Sequence, residues 1–401
     1  MYLQSLELVE FRVFHARQLR LEPAGLRLVG ANGSGKSTIL ESVAMMATTR
    51  SPRSSLEREL INFESGAELG VPPYARVLAR VFLDDGGVDL ALTMQLDPLR
   101  PNHVKKQFSV DGRVVRASDA VGRLKAVLFS PEDVGLIAGT PAARRRYLDV
   151  TLSQLHRDYL RALSRFNQIL AHRNSLLRSF ARERLPLPGG SSAAQLAFWD
   201  EELTAFGSVL ISYRYMAIRR LSELANERFA RLTSGHTLKI EYAPNLAVNS
   251  LEGRKTDLDH DETTAIVARE FASSLFDRRR EELGRGMSLV GPQRDDFTFS
   301  LDDVDLSLYG SRGQQRLAVL ALKLAEAALM SEAANEPPVV LLDDVLSELD
   351  ERHRESLIDT IAAERNQLII TSADEKLLDV ASLSALPILR LDAQSLTGGS
   401  S

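Results

Sequence analysis

The sequence predicts an α/β fold, a head of mixed sheets interrupted by an inserted, mainly helical arm. Three observations predict it. A glycine-rich turn near the amino terminus joins a short apolar strand to a helix. Roughly 300 positions later, four apolar residues run into two acids, and between these points apolar residues recur at spacings of three and four over long stretches.

The 401 residues, 44% of them hydrophobic, suffice for two domains with substantial cores. The absence of cysteine excludes a disulfide framework and a thiolate metal site, and it fits a reducing compartment. Met1 to Arg20 carries Glu7, Glu10, Arg12, Arg17 and Arg20 and lacks the apolar core of a signal peptide. No charge-free run of about 18 apolar residues occurs, so a cytoplasmic chain that does not span a membrane is expected. The formal charge of -5 leaves nucleic acid open, because a basic surface can form locally on an acidic molecule.

Short strands are expected at Leu6 to Val9, Leu19 to Leu21 and Leu26 to Val29. Runs at Val77 to Leu83 and Val88 to Leu96, with Asp111-Gly112 as a hairpin turn, predict a mostly antiparallel sheet. After Pro141 the pattern turns helical. Leu148, Leu152, Leu155, Tyr159, Leu163, Phe166 and Leu170 mark one amphipathic helix; Pro186, Pro188, Gly189 and Gly190 break it; Leu196, Trp199, Leu203, Phe206, Leu210, Tyr213, Leu221 and Leu224 mark a second. Two antiparallel helices of about 40 residues, each roughly 60 Å long, are too long for a compact head and imply an arm. Trp199 and the arm aromatics fall on its apolar stripe, which predicts core packing. Strand is expected at Lys239 to Tyr242, helix at Thr263 to Leu283, strand at Phe297 to Leu301, helix at Gln314 to Ser331 and buried strand at Val339 to Leu342. The expected domains are 1-130 and 286-396 for the head, 131-285 for the arm and a Gly/Ser-rich flexible tail at 397-401.

Gly30-Ala31-Asn32-Gly33-Ser34-Gly35-Lys36-Ser37, followed by a helix from Thr38, matches the P-loop pattern in its required strand-turn-helix setting. Glycines let backbone N–H groups close around phosphate oxygens, Lys36 neutralises β/γ charge, and the Ser37 hydroxyl suits Mg²⁺. ATP with Mg²⁺ is therefore the expected cofactor. The run Val339 to Leu342 delivers Asp343, the expected second metal ligand, and Asp344, the expected general base. Lys36 and Asp343 must meet at one nucleotide, so both chain ends build one head. Ser311-Arg312-Gly313-Gln314 opens a helix and so forms an anion site. Because the P-loop already wraps one face of a triphosphate, this second site is useful only if it approaches from another molecule.

The order of P-loop, long insertion, Ser311 to Gln314, strand-end acids and Ser347-Glu348-Leu349-Asp350 resembles the ABC-type P-loop ATPase heads of the SMC and RecF group. Phe11-Arg12, Phe129-Ser130-Pro131-Glu132-Asp133, Arg144 to Asp149, Gly291 to Asp296 and Gly313-Gln314-Gln315-Arg316 look like the RecF family itself. This resemblance implies an ATP-dependent homodimer in which Ser311 to Gln314 of one copy caps the γ-phosphate held by the other. It also implies binding of double-stranded and gapped DNA, and recombinase loading with RecO and RecR. Arg12 is implied at the nucleotide, or else is a surface arginine on a strand; Asp350 is implied at the dimer interface, or else caps a helix. Asp344 stands where transporter-type heads carry Glu, which points to slow turnover. Thr371-Ser372 replaces the switch histidine, leaving the Thr371 hydroxyl for the γ-phosphate, and Gln293 replaces the family histidine in Gly-Pro-His-Arg-Asp-Asp.

Between Arg144 and Arg184 stand ten Arg and three acids, the clearest basic region. Arg157, Arg161 and Arg165 share a helical face that either follows a DNA backbone or is simply solvated. Arg278-Arg279-Arg280 forms a second candidate patch. No histidine cluster suggests zinc. A transporter ATPase subunit would keep a shorter insertion and a switch histidine, and a chromosome-organising protein a far longer coiled coil.

Overall fold

The computed structural model describes residues 1–66, 70–182, 190–233, 235–246 and 259–392. By compactness the chain divides into two units. The first comprises Met1–Val134, Glu227–Gly235 and Leu317–Ser401; the second comprises Gly135–Asn226 and His236–Arg316. The second thus extends to Arg316, where sequence reading places the return to the head at residue 286.

The first unit is built on two sheets. Phe14–Arg20, Tyr2–Phe11, Tyr74–Leu83, Gly86–Asp97, Arg100–Val110 and Arg113–Val115 pair in that spatial order, all antiparallel. Ile388–Arg390, Gly25–Val29, Leu368–Ser372, Val339–Asp343 and Ala126–Phe129 form a second sheet, all parallel. Val339 to Leu342 are fully buried, as a parallel strand covered on both faces requires. The helix Lys36–Thr48 packs against strands of both sheets. Burial of nearly every residue from Lys36 to Ala47 explains its lack of a polar face. Leu3, Leu6, Leu8, Phe11, Leu28, Ile39, Val43, Met45, Val77, Leu92 and Leu341 belong to the resulting core.

The second unit is mainly helical, with the three-stranded antiparallel sheet Val304–Asp305, Asp296–Leu301 and Leu238–Ala243. The single first arm helix expected from the heptad-like spacing is two helices, Pro141–Leu155 and Arg157–Arg182. His156 separates them in extended conformation, φ -126° and ψ 110°. No Pro or Gly marks that break; its ring packs on Tyr213 at 4.7 Å, a tertiary contact invisible to periodicity. The second expected helix spans Gly190–Leu232, so Gly190 starts it rather than breaking the first, while Pro186, Pro188 and Gly189 lie outside the described residues, as does the 397–401 tail. Helix His260–Arg285 starts with Asp259 accepting from Glu262 N. Tyr159, Phe166, Phe180 and Phe271 are buried, whereas Trp199 is half-buried and stacks on His172 at 5.2 Å.

Three arginines lie inside this unit. Arg173 is fully buried and donates to Asp200, Glu282 and Ser288. Arg214 joins Asp149, Tyr159 and the Pro292 carbonyl, beside an Asp295 that also accepts from Tyr242 and Asn245 N. Burial holds the Asp295 carboxyl above its ordinary range, opposed chiefly by the Arg214 charge. Arg144 grips Asp296 through Nε and Nη2 at 2.6 and 2.8 Å. Asp295 and Asp296 of the Gly291 to Asp296 run therefore anchor Arg214 and Arg144, and two of the ten arginines between residues 144 and 184, Arg144 and Arg173, are interior rather than a basic face.

Candidate nucleotide site

The strand Gly25–Val29 ends at Gly30, and helix Lys36–Thr48 begins six residues later, so the parallel sheet aims the intervening turn at its carboxyl edge. Gly33 and Gly35 adopt φ of 84° and 93°, a region costly for any residue with a Cβ. At Gly35 a Cβ would also sit 2.3 Å from the Phe14 ring. No side chain caps this helix start, which leaves its N–H groups for an anion. The Ser34 hydroxyl oxygen is buried without a hydrogen-bond partner, the kind of orphan a phosphate oxygen would satisfy.

Lys36 is 7% exposed, and its ammonium donates to the carbonyls of Gly30 and Ala31 at 2.5 and 2.9 Å. Burial pushes the Lys36 amine below its ordinary value, while the charges of Asp344 and Asp343 oppose that shift. The two acids thus offset part of what burial costs the ammonium.

Parallel pairing places Asp343 opposite Thr371, and Thr371 opposite Leu28 at the end of the P-loop strand. The Leu368–Ser372 strand therefore lies between the two motifs. Ser37 Oγ donates to Asp343 Oδ1 at 2.7 Å, and Thr371 Oγ1 lies 3.1 Å from the same oxygen. Thr371 Oγ1 also accepts from Asp344 N at 3.0 Å. Asp344 itself has φ 53°, so the chain turns sharply after the metal-type carboxylate and aims the next one differently. Ser37 and Asp343 are hard oxygen donors of the kind that would hold Mg²⁺. Among the described residues no cluster of three or more His, Cys, Asp or Glu is placed to hold a metal ion.

Arg12 sits at φ 57° in the turn between the first two strands, and its Nε and Nη2 grip Glu41 at 3.0 and 2.8 Å. Glu41 is 2% exposed on the P-loop helix and also accepts from Ser51 Oγ. Sequence reading missed Glu41 and Phe14; an acid within the apolar helix Lys36–Thr48 was the available signal for Glu41. Asp350 caps helix Glu351–Ala363 by accepting from His353 N at 2.9 Å.

Helix Arg312–Ala334 starts two residues before Gln314, and its residues up to Arg316 fall in the second unit. Ser311 Oγ accepts from Gln314 N at 3.2 Å, and Gln314 Oε1 accepts from Ser311 N at 2.9 Å, a reciprocal capping box. Ser311, Arg312 and Gly313 are exposed. Arg157, Arg161 and Arg165 are exposed on one face, with Arg161 paired to Asp158 and Arg165 to Glu202. Of the other patch, Arg278 pairs with Glu281 and Arg279 with Asp200.

Among the described residues no helix is long and apolar enough to cross a membrane. Residues 2–390 match the family described as RecF/RecN/SMC N terminal domain. The DNA replication and repair protein RecF of Thermomicrobium roseum is 44% identical over 401 residues, covering 100% of both chains. RecF of Chloroflexus aggregans is 41% identical, again covering 100% of both. A solved structure of the recombination mediator protein RecF-ATPrS in the RecFOR pathway superposes with a TM-score of 0.79 at 27% identity, covering 98% of this chain and 97% of that one. The Smc head domain of Pyrococcus furiosus, at 17% identity and a TM-score of 0.51 over 94% of this chain, shares the fold. The ABC-type ATPase head fold with a helical arm, and full-length similarity to these proteins, place the chain in the RecF family.

Proposed function

We propose that this chain is an ATP-dependent DNA-binding protein of recombinational repair and replication. ATP and Mg²⁺ drive its homodimerisation on duplex DNA near single-strand gaps, and slow, DNA-stimulated hydrolysis reverses it. The observation that carries the reading is the convergence of the Ser37 and Thr371 hydroxyls on one Asp343 carboxylate oxygen beside the P-loop. Solved relatives described as RecF-ATP and RecF-ATPrS in the RecFOR pathway support ATP as the nucleotide and RecO and RecR as partners in recombinase loading. Residues 1-130 and 286-396 act as the head and 131-285 as the arm of a cytoplasmic, nucleoid-associated protein.

Bound ATP supplies the phosphoanhydride bond and Mg²⁺ neutralises its charge. Gly30 to Thr38 hold the phosphates, Lys36 offsets their charge, and Arg12, fixed by Glu41, stands ready at the adjoining turn. Ser37 and Asp343 hold the cation. Thr371 fixes the Asp343 carboxylate and the Asp344 backbone, so that the Asp344 carboxylate is positioned to take a proton from water. Ser311 to Gln314 and Asp350 of a second copy complete the site. Contacts to the γ-phosphate made only in the closed pair give ATP the differential affinity that a switch requires.

Light scattering tests this directly. Wild type should double its mass with ATP and Mg²⁺ but not with ADP, and Lys36→Ala and Gln314→Ala should remain monomeric. An unchanged mass under all nucleotide conditions at several concentrations would remove the switch; normal dimerisation of Gln314→Ala would remove the cross-subunit role of Ser311 to Gln314.

A further inference from the structure

The turn that carries Arg12 is held by contacts that the nucleotide reading leaves unused. Glu10 and Arg12 adopt φ of 51° and 57°, a region uncommon for residues with a Cβ, so surrounding contacts must fix this turn. Residues 60–65 supply them. Arg12 N donates to the Leu60 carbonyl at 2.9 Å, Asn62 N donates to the Glu10 carbonyl at 2.8 Å, and Phe11 and Ile61 form an antiparallel β-bridge. Phe11 and Asn62 are buried, and Asn62 Oδ1 accepts from Glu64 N at 2.9 Å. The seam lies within the first unit. Phe14, opposite Phe11 across the turn, lies against Gly35 of the glycine-rich turn, where a Cβ would meet its ring.

One imidazole closes this seam. His15 Nδ1 stands 3.2 Å from Glu10 Oε1, and its Nε2 stands 3.1 Å from Glu64 Oε2. Ionised carboxylates only accept hydrogen bonds, so both ring nitrogens must donate, and only the imidazolium has two N–H groups. A neutral ring satisfies one carboxylate and turns a lone pair towards the other. The Glu64 side chain is 57% exposed and that of Glu10 is 17% exposed, so the Glu64 contact is the one that water replaces on deprotonation. Glu10 Oε2 is buried without a hydrogen-bond partner among the described residues, so this carboxylate depends on the charge of the ring for compensation.

The Glu10 hydrogen bond, with the Glu10 charge and then Glu64 adding to it, holds His15 above the ordinary histidine value against the opposing effect of burial. Glu10 from the paired strand and Glu64 from the loop are the charged groups that act on the ring. Arg12 and Arg17 are the nearest cations in sequence on its own hairpin.

We propose that His15 is a positioning residue for the nucleotide site: its doubly bonded imidazolium clips residues 60–65 onto the Arg12 turn and makes nucleotide affinity depend on pH. The inference rests on the reading above that Arg12 serves the bound nucleotide. With the clip closed, the Arg12 backbone is fixed by residues 60–65 while its guanidinium is fixed by Glu41. Opening the clip frees the turn, and ordering it again on binding costs affinity. Because the folded value is raised, the closed clip is present below that value and is lost as pH rises through it.

The test is titration of a fluorescent ATP analogue with Mg²⁺ into the full chain from about pH 5.5 to about pH 8.5. Wild type is compared with His15→Gln, Glu64→Gln and Arg12→Ala well below their melting transitions. Affinities are read as variant-to-wild-type ratios at each pH, in which the nucleotide's own protonation cancels. His15→Gln should bind about three- to tenfold more weakly than wild type at the acid end and equal it at the alkaline end. Glu64→Gln should move the midpoint of this change to lower pH, which a merely structural histidine would not do. Arg12→Ala should bind more weakly throughout. A His15→Gln ratio constant with pH, alongside a weakened Arg12→Ala, overturns the clip alone. Wild-type affinity in Arg12→Ala overturns the reading of Arg12 and the clip with it, and a wild type that binds no analogue at any pH removes the nucleotide site itself.

Discussion

Ser37 Oγ donates a 2.7 Å hydrogen bond to Asp343 Oδ1 across a sequence separation of 306 residues. This contact joins the P-loop to the acidic end of a different strand, and Thr371 on the strand between them locks it. Asp344→Asn should therefore lower phosphate release by about 10²–10⁴-fold while a fluorescent ATP analogue still binds. Asp343→Asn should instead weaken the Mg²⁺ dependence of binding. Equal loss of analogue binding in both would contradict the division of labour between the two acids.

Gly35→Ala should abolish ATP binding measured by calorimetry, and Gly33→Ala should cost less. Both positions have positive φ, but a Cβ at Gly35 would strike the Phe14 ring at 2.3 Å whereas Gly33 faces open space. Phe14→Leu should restore part of the binding that Gly35→Ala removes, because it clears that ring. Additive losses in the double variant would show that backbone strain alone is responsible.

Arg173→Met should destabilise the chain by about 3–5 kcal/mol in urea denaturation, because it leaves carboxylates without their buried partner. Glu282 is fully buried and Asp200 nearly so, although Arg279 still pairs with Asp200. The double variant Arg173→Met/Glu282→Gln should recover part of the loss. A loss below about 1 kcal/mol for Arg173→Met would place the site in contact with water.

His15 and His156 should titrate on opposite sides of the ordinary histidine value. The Glu10 hydrogen bond leads the rise of His15, with Glu64 adding to it, whereas burial, followed by the charge of His260, lowers His156. A raised folded value means that the His15 contribution is fully present below the unfolded value and fades as pH rises through the folded one. For His156 the sign reverses: stability is full above the unfolded value and is lost as pH falls towards the folded one. Between about pH 5 and pH 8, His15→Gln should thus lower the melting temperature most at the acid end, and His156→Leu should make the chain less acid-sensitive. NMR titration of the two ring signals checks both directions.

The glycine-rich turn was legible because its chemistry is local: glycines, Lys36 and Ser37 stand together between a strand and a helix, so eight consecutive residues carry the signal. The capping acid of Glu351–Ala363 and the buried run Val339 to Leu342 were legible for the same reason. Glu41 was not, because its partners Arg12 and Ser51 come from separate loops. The basic count over residues 144 to 184 misled in part, since charge in a sequence does not reveal whether an arginine faces water or, like Arg173, a buried carboxylate.

By itself, the sequence determined the α/β head, the helical insertion and the glycine-rich turn between strand and helix, because periodicity and turn chemistry act over a few neighbouring residues. Only the tertiary structure decided that Leu368–Ser372 separates the P-loop strand from the acidic strand, that His156 breaks the arm helix, and which arginines are interior. Those outcomes depend on sheet order and on packing between distant segments, where burial energy rather than local preference selects the partner.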